Sequence, residues 1–258
     1  MDIGKMPRSV SQVEQYEKCG HQYYLRRVEK VLPLPAAWSM HGTAMHSAAE
    51  AIERSGRQMG VEEAVQLFSD EYAAAINAAL EQEPDTDRWL AASGSGAADI
   101  ERRYVLGQEQ TRRYWEWAHE HRPAIWSTAT GEPGLELGFE VEIGGVTVRG
   151  FIDQVLREDA STARVRDIKT GSTKSKFQLE AYGVALQLEY NVQVVAGDWY
   201  LAQKGGLSRP LDLSKTDVNV IGERFATMDS GVRAGDFPAR PGFLCRFCDV
   251  KHKCSFFR

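Results

Sequence analysis

The first half of the chain has apolar residues at helical spacing, with few glycines or prolines to interrupt it. This pattern predicts a mainly helical part over 1–130. Serine is a favoured helix N-cap, and proline ends a helix. The predicted helices are one from Ser9 or Ser11 to about residue 30, ended by Pro33 and Pro35, one opened by Gly42, one over 61–83, and one from the loop at 93–96 to about residue 121.

The period changes to two over 135–143, where apolar and polar residues alternate as in a strand with one buried face. Gly144 and Gly145 provide a turn, and two further strands are predicted up to Lys169. The later elements are a helix over 175–190, a buried strand over 193–203 and a last helix over 214–235. We therefore predict an α/β fold with a central mixed sheet flanked by the 175–190 helix.

The composition is that of an ordinary globular protein, with 43% hydrophobic and 26% charged residues in 258. No apolar run approaches the ~18–20 residues that cross a bilayer, and the first residues lack the hydrophobic stretch of a signal peptide. We therefore expect a cytoplasmic protein with no membrane partner. In a reducing compartment, cysteines are more often metal ligands or free thiols than disulfides.

Charge is unevenly distributed along the chain, although the net charge is only −5. Residues 1–34 carry six Lys and Arg against four Asp and Glu, and residues 204–258 carry ten against six. Within the acidic middle of the chain, 164–176 holds five basic residues and one acidic residue. This basic segment is compatible with phosphate binding, and equally with a solvated surface of mixed sign.

The four cysteines show the strongest local pattern. Cys245, Cys248 and Cys254 lie close together near the C-terminus, and Cys19 lies alone near the other end. Three thiolates supply most of a four-coordinate site for zinc or an iron–sulfur cluster, and Cys19 is the candidate fourth ligand. A single cysteine joined to a distant triplet favours a cluster that ties the two ends together. Unrelated free cysteines are the alternative.

An acidic pattern lies on the predicted strands. Asp153 falls on one strand, and Asp167 and Lys169 fall on the next. The period of two places Asp167 and Lys169 on the same sheet face. Two carboxylates can bind Mg²⁺ or Mn²⁺, and an ammonium group beside them can orient water or stabilise charge on a phosphate. A surface salt bridge is the alternative for Asp167 and Lys169.

Two helical pairs add to this pattern. Gln178 and Tyr182 are four positions apart and share a helix face, as do His46 and Glu50. Without further context, His46 would be interpreted as a packed or surface histidine. Gln178 and Tyr182 would likewise be interpreted as surface and core residues.

Six motifs together resemble those of RecB-family nucleases in the PD-(D/E)xK superfamily. They are SxSQVEQYEKCGHQYYLRR, GTAMH, GFIDQV, DIKTG, QLEAYGVAL and CRFCDVKHKC, in that order along nearly the whole chain. The resemblance is to the iron–sulfur branch, which includes the AddB-type nuclease domain and the CRISPR adaptation nucleases. Gly20 departs from the proline usual after the first cysteine, and Gln154 from the basic residue common after Asp153. Neither change removes a ligand, so we expect effects on local geometry and substrate preference.

The resemblance implies a role for each matching residue. His46, Asp153, Asp167 and the Ile168 carbonyl would hold Mg²⁺ or Mn²⁺, Lys169 would be the catalytic lysine, Gln178 and Tyr182 would contact or orient substrate, and Cys19, Cys245, Cys248 and Cys254 would hold a 4Fe–4S cluster. The chain would be one nuclease domain over 1–258. Its helical part would cover 1–130, its catalytic sheet and helix 131–205, and its C-terminal helix and cluster segment 206–258.

The implied activity is metal-dependent exonuclease cleavage of DNA at single-stranded ends. We expect Lys174 and Lys176 to meet phosphates, and Tyr23, Tyr24 or Trp199 to stack on bases, although core packing is the better interpretation of Trp199. A DNA-binding module or a zinc-stapled scaffold with little or no nuclease activity is the alternative. The chain lacks a GxxxxGK(S/T) loop, so any helicase or recombination partner would be a separate chain.

Overall fold

A mixed sheet with helices on both faces forms the centre of the computed structural model, which describes residues 6–171 and 175–257. The helices are α1 Val10–Lys18, α2 Gly20–Tyr23, α3 Ala37–Arg54, α4 Val61–Gln82, α5 Gly96–His121, α6 Lys176–Tyr190 and α7 Val218–Ala234. The strands are β1 Leu135–Ile143, β2 Val146–Arg157, β3 Thr162–Lys169, β4 Gln193–Leu201, β5 Gly206–Leu207 and β6 Leu211–Asp212. Within the described ranges, no helix is both long enough and apolar enough to span a bilayer. The predicted central mixed sheet is confirmed.

The sheet follows from local connections. Strands β1, β2 and β3 pair antiparallel in sequence order, and β4 then pairs parallel to β3, with α6 as the crossover. Ile143 pairs with Val146, so the turn consists of Gly144 and Gly145 alone. Both glycines have positive φ, the conformation that such a two-residue turn requires and that glycine adopts without strain.

Two predicted helix boundaries were wrong. The second helix begins at Ala37 rather than at Gly42, and Gly42 lies inside it. The first helix does not continue to residue 30, because the backbone becomes extended at Cys19 before α2 begins. A short π-helical turn then ends at Val28, ahead of the prolines.

The core has two main parts, one on each face of the sheet. The first contains the inward residues of β1 and β2 together with α1, α6 and α7. The second packs α3 and α5 against residues of β3 and β4, with Met45, Tyr114, Ile168 and Tyr200 buried in it. This second part holds α3 against the sheet at the point where β3 ends.

A buried polar cluster joins α3 to α5. His41 is fully buried, its Nε2–H donates to Gln110 Oε1 at 2.9 Å, and its Nδ1 accepts from Arg103 Nη1 at 3.3 Å. Because an arginine only donates, this pattern requires the neutral imidazole. Burial, together with the positive charge of Arg103, lowers the pKa of His41 to about 4.

We expect His41 to make the protein less stable in mild acid. The unfolded chain takes up a proton near pH 6.5 and the folded one near pH 4, so this contribution to stability is complete above pH 6.5 and is lost as the pH falls. The shift corresponds to about 3 kcal/mol. Chemical unfolding at pH 4.5 and 7.5 should show a smaller pH difference for His41→Gln than for the parent. Equal differences would contradict this assignment.

Candidate functional site

Three side chains from separate elements converge beside the end of β3. His46 comes from α3, Glu136 from β1 and Asp153 from β2, and their ligand atoms all lie within 4.8 Å of one another. His46 Nδ1 is 3.4 Å from Asp153 Oδ2 and 3.6 Å from Glu136 Oε1. Imidazole nitrogen and carboxylate oxygens are suitable ligands for Mg²⁺ or Mn²⁺. The resulting candidate site for a divalent cation is named the metal centre below.

The backbone of Ile168 adds to the metal centre. Its N–H donates to Asp153 Oδ2 at 2.7 Å, and its carbonyl oxygen lies 3.0 Å from His46 Nε2. Because an imidazole binds an ion through one nitrogen, the Nε2 contact is a hydrogen bond to the carbonyl, and it orients the ring with Nδ1 toward the two carboxylates. The His46 imidazole and the carboxylates of Glu136 and Asp153 form a donor set that fits a hard divalent cation.

Glu136 was missed in the sequence analysis. Its φ is +44°, an uncommon conformation for a residue other than glycine. The facing strand β2 is irregular as well. Ile152 and Val155 are three positions apart, so a regular strand would direct them to opposite faces, yet both lie in the first part of the core. One signal could have identified it: the two-residue glycine turn fixes the register of β1 and β2, and that register places Glu136 across from Asp153.

The metal centre carries an excess of buried negative charge. Burial raises the pKa of Asp153, and the neighbouring Asp167 and Glu136 raise it further against the opposing effect of His46. Burial by itself would lower the pKa of His46, but Asp153, Glu136 and Asp167 outweigh it and raise that pKa above its usual value. Both pKa shifts arise because several carboxylates lie close together, where a positive charge stabilises their ionised forms. A divalent cation would supply that positive charge.

Asp167 lies outside the group of three and forms a second group with Lys169. Lys169 Nζ is 3.0 Å from Asp167 Oδ1 and 2.8 Å from Oδ2, which confirms that both side chains are on one face. Lys169 also donates to Gln178 Oε1 at 3.0 Å, and Gln178 Nε2 donates to the Tyr182 hydroxyl at 2.9 Å. The Ser175 hydroxyl caps α6 by accepting from the Gln178 N–H. The lysine is therefore held from two sides, with 24% of its side chain exposed.

The basic residues on this side of the sheet have different surroundings. Lys176 is exposed and pairs with Glu180, whereas Lys174 lies outside the described residues. Arg164 and Arg166 do not face the metal centre, because both bind Asp198, Arg166 with a 2.6 Å contact and Arg164 with one of 2.8 Å. Of these four residues, only Lys176 is shown to present its charge to solvent in the described part of the chain.

Two of the three aromatic residues predicted to stack on bases are buried. Tyr23 is 1% exposed and packs against Tyr16 and Phe237, and Trp199 is 6% exposed in the first part of the core. The expectation was wrong for Tyr23 because its ring faces the core. Tyr24 is half-buried, and its hydroxyl donates to Glu29.

The four cysteines meet in one cavity of about 280 Å³ between the C-terminal segment and the start of α2. The Arg240 N–H points at Cys19 Sγ at 3.5 Å, and the Gly242 N–H at Cys245 Sγ at 3.3 Å. Burial, then Asp249 and the neighbouring cysteines, raise the pKa of Cys248 to about 11. A thiolate there therefore needs a bound cation.

Four cysteine side chains that line one cavity could hold either a zinc ion or an iron–sulfur cluster, since both kinds of site take thiolate ligands.

The two departures from the family motifs have structural explanations. A Cβ at Gly20 would lie 2.7 Å from Pro238, so glycine lets the segment that precedes Cys245, Cys248 and Cys254 approach α2. Gln154 is buried, and its amide donates to the Tyr114 hydroxyl at 2.5 Å in the core beside α5. Gln154 therefore contributes to packing, and the expected effect on substrate preference has no support in its position.

Comparisons with known proteins agree with this geometry. The Gene 69 protein of Mycobacterium phage D29 is 39% identical over 266 residues, covering 98% of both chains, and the Gene 69 protein of Mycobacterium phage L5 is 36% identical over 281 residues, covering 97% of both. The alignment with the crystal structure of SSO0001 covers 96% of each chain, with 12% identity and a TM-score of 0.34. The family model of the PD-(D/E)XK nuclease superfamily matches residues 7–255. The chain therefore belongs to the PD-(D/E)XK nuclease superfamily.

Proposed function

We propose that this nuclease is a metal-dependent DNA exonuclease of the RecB-family iron–sulfur branch that acts on single-stranded ends. The observation that carries the proposal is the convergence of His46, Glu136 and Asp153 around the backbone of Ile168. The residue after Ile168 is Lys169. A bound Mg²⁺ or Mn²⁺ would lower the pKa of water and neutralise charge developing on the phosphate. A non-cleaving DNA-binding module is disfavoured because every expected ligand type is present.

Lys169 has the position of a group that acts on the reacting atoms. Its ammonium is held by Asp167 and Gln178, so it is oriented before substrate arrives. An oriented positive charge stabilises a transition state better than a mobile one, because no reorganisation is needed during the reaction. We propose that Lys169 orients the attacking water or stabilises an oxygen of the scissile phosphate, and that Gln178 and Tyr182 maintain its position.

The cysteine cavity supports the cofactor part of the proposal. A 4Fe–4S cluster held by Cys19, Cys245, Cys248 and Cys254 would join the two ends of the chain, and the two N–H groups directed at sulfur are typical partners of such a cluster. A zinc-stapled scaffold is the alternative, and metal content and colour distinguish the two. We also propose that any helicase or recombination partner is a separate protein.

The activity can be tested with the protein purified anaerobically. We expect Mg²⁺- or Mn²⁺-dependent cleavage of end-labelled linear single-stranded DNA, and little cleavage of a circular single-stranded molecule of the same sequence. A blunt duplex tests the strand preference, and an RNA of the same sequence tests the preference for DNA. Rapid cleavage of the circle would contradict exonuclease action. No cleavage of any substrate by cluster-containing protein with either metal would contradict the proposed function.

A further inference from the structure

Phe151 is an exposed aromatic ring in the interior of a strand. It lies on β2, two residues before Asp153, and 61% of its surface is exposed. Its neighbour Ile152 is fully buried, so the strand at this point has an apolar core side and a second, solvent side. A single exposed apolar residue needs no special explanation. The position of this ring beside the metal centre is what gives it significance.

The ring shares a cleft with the metal centre. A cavity of about 560 Å³ is lined by Phe151 together with His46 and Glu136, and α3 forms its other wall. Any nucleotide whose phosphate lies at the metal centre has its sugar and base within reach of this cleft. Phe151 is thus the aromatic wall of the space that would receive that nucleotide.

A glycine lies opposite the ring on the neighbouring strand. Gly138 on β1 pairs with Phe151, and a Cβ at position 138 would lie 3.4 Å from a ring carbon. Glycine therefore lets the ring lie close to the neighbouring strand, while most of its surface remains open to solvent. The ring has only two side-chain torsions and stands on a paired strand, so it loses little conformational freedom when a flat partner stacks on it.

We propose that Phe151 stacks on the base of the nucleotide next to the scissile phosphate and thereby selects unpaired nucleic acid. Every base has a π-face, so stacking is tolerant of sequence, and it requires a base free of its neighbours in a duplex. This inference rests on the proposed nuclease function and adds a specificity residue to it. Phe151 has no contact with the phosphate in this role, since His46, Glu136 and Asp153 serve the metal centre.

Substitution of the ring tests the proposal. Phe151→Ala should reduce single-stranded cleavage at subsaturating substrate by about 5- to 150-fold, the range for loss of one base–aromatic stack. Phe151→Leu keeps apolar bulk without a π-face, so its cleavage should be reduced nearly as much as that of Phe151→Ala. Phe151→Trp keeps a π-face and should cleave at close to the parent rate. Tyr104→Ala, which removes an exposed ring on α5, is the matched control and should behave as the parent. Thermal melting should be nearly equal for the three Phe151 variants because that ring is exposed, and Tyr104→Ala should melt slightly lower because it loses a ring contact with Tyr72.

An abasic scan provides the second measurement. A single abasic site moved along the oligonucleotide should slow the parent at one position near the cleavage point, and Phe151→Ala should be insensitive to it there. If the parent cleaves but Phe151→Ala and Phe151→Leu both match it, the stacking proposal is wrong and the nuclease function stands. Full activity of Phe151→Leu would also overturn the proposal, since apolar bulk without a π-face would then be enough for cleavage. A parent that neither binds nor cleaves would overturn both.

Discussion

Replacing Asp153 with asparagine should reduce cleavage on the order of 10³-fold or more without unfolding the protein. Asparagine keeps the shape and still offers an oxygen to the Ile168 N–H, but it removes the charge that would hold the cation. Because burial and the neighbouring carboxylates raise the pKa of Asp153, its ionised form is costly in the absence of metal. We therefore expect the metal-free variant to melt at the parent temperature or above it.

Metal-dependent melting gives a readout apart from activity. A cation that binds only the folded parent should raise its melting temperature, and Mn²⁺ should give Asp153→Asn little or no increase. Glu136→Gln should show the same loss if Glu136 is a ligand. Glu140→Gln is the matched control, because Glu140 is an exposed carboxylate on the same strand. Near-parent cleavage by Asp153→Asn, or an unchanged response to Mn²⁺, would show that the metal centre lies elsewhere.

Lys169→Ala separates metal binding from chemistry. Lys169 contacts Asp167 and Gln178 but none of the three side chains of the metal centre, so the Mn²⁺-dependent rise in melting temperature should be kept. Cleavage should still fall by about 10²- to 10³-fold, the cost of removing one oriented charge from a transition state. Loss of both properties together would instead assign Lys169 a structural role.

Local sequence rules were sufficient for the four long strands of the sheet, but they did not predict the short strands β5 and β6. Alternation along 135–143, followed by two glycines, determines a hairpin, because the turn is short and one strand face must be buried. The pairing of Asp167 with Lys169 followed from the same period of two. The helix and the strand predicted after Lys169 are α6 and β4, whereas the parallel pairing of β4 with β3 through that helix was not predicted.

Long-range packing determined what the sequence rules missed. The break at Cys19 has no local proline or glycine run, and it occurs where Gly20 meets Pro238. Gly42 was expected to begin a helix, yet it lies inside α3. A Cβ at this position would lie 3.6 Å from the Thr170 hydroxyl oxygen. Glu136 adopts a left-handed conformation that propensity disfavours. The conformations at these positions depend on partners that are distant in the sequence. The spacing of apolar residues along the chain therefore could not predict them.

Substitution of Cys19 should destabilise the whole protein as strongly as substitution of Cys248. The parent is expected to be brown, with broad absorption near 400 nm, as is typical of thiolate-bound clusters. Binding energy of a site absent from the unfolded chain is folding energy, and a cluster held by Cys19 and the C-terminal cysteines would close a very long loop from residue 19 to residue 245. Losing several kcal/mol in a domain of this size lowers the melting temperature on the order of 10 °C. Both Cys19→Ser and Cys248→Ser should lose colour.

Gln22→Ala is the control for that comparison. Gln22 lies in α2, lines the cysteine cavity and donates to Asp249 at 2.9 Å, so it joins the N-terminal part to the C-terminal segment without being a ligand. Loss of one hydrogen bond costs about 1 kcal/mol, so this variant should keep its colour and melt only a few degrees lower. Iron and zinc analysis of the parent completes the test. Two outcomes would show that Cys19 does not share a cluster with the C-terminal cysteines. One is colourless parent protein with one bound zinc. The other is a melting temperature of Cys19→Ser that equals that of Gln22→Ala rather than that of Cys248→Ser.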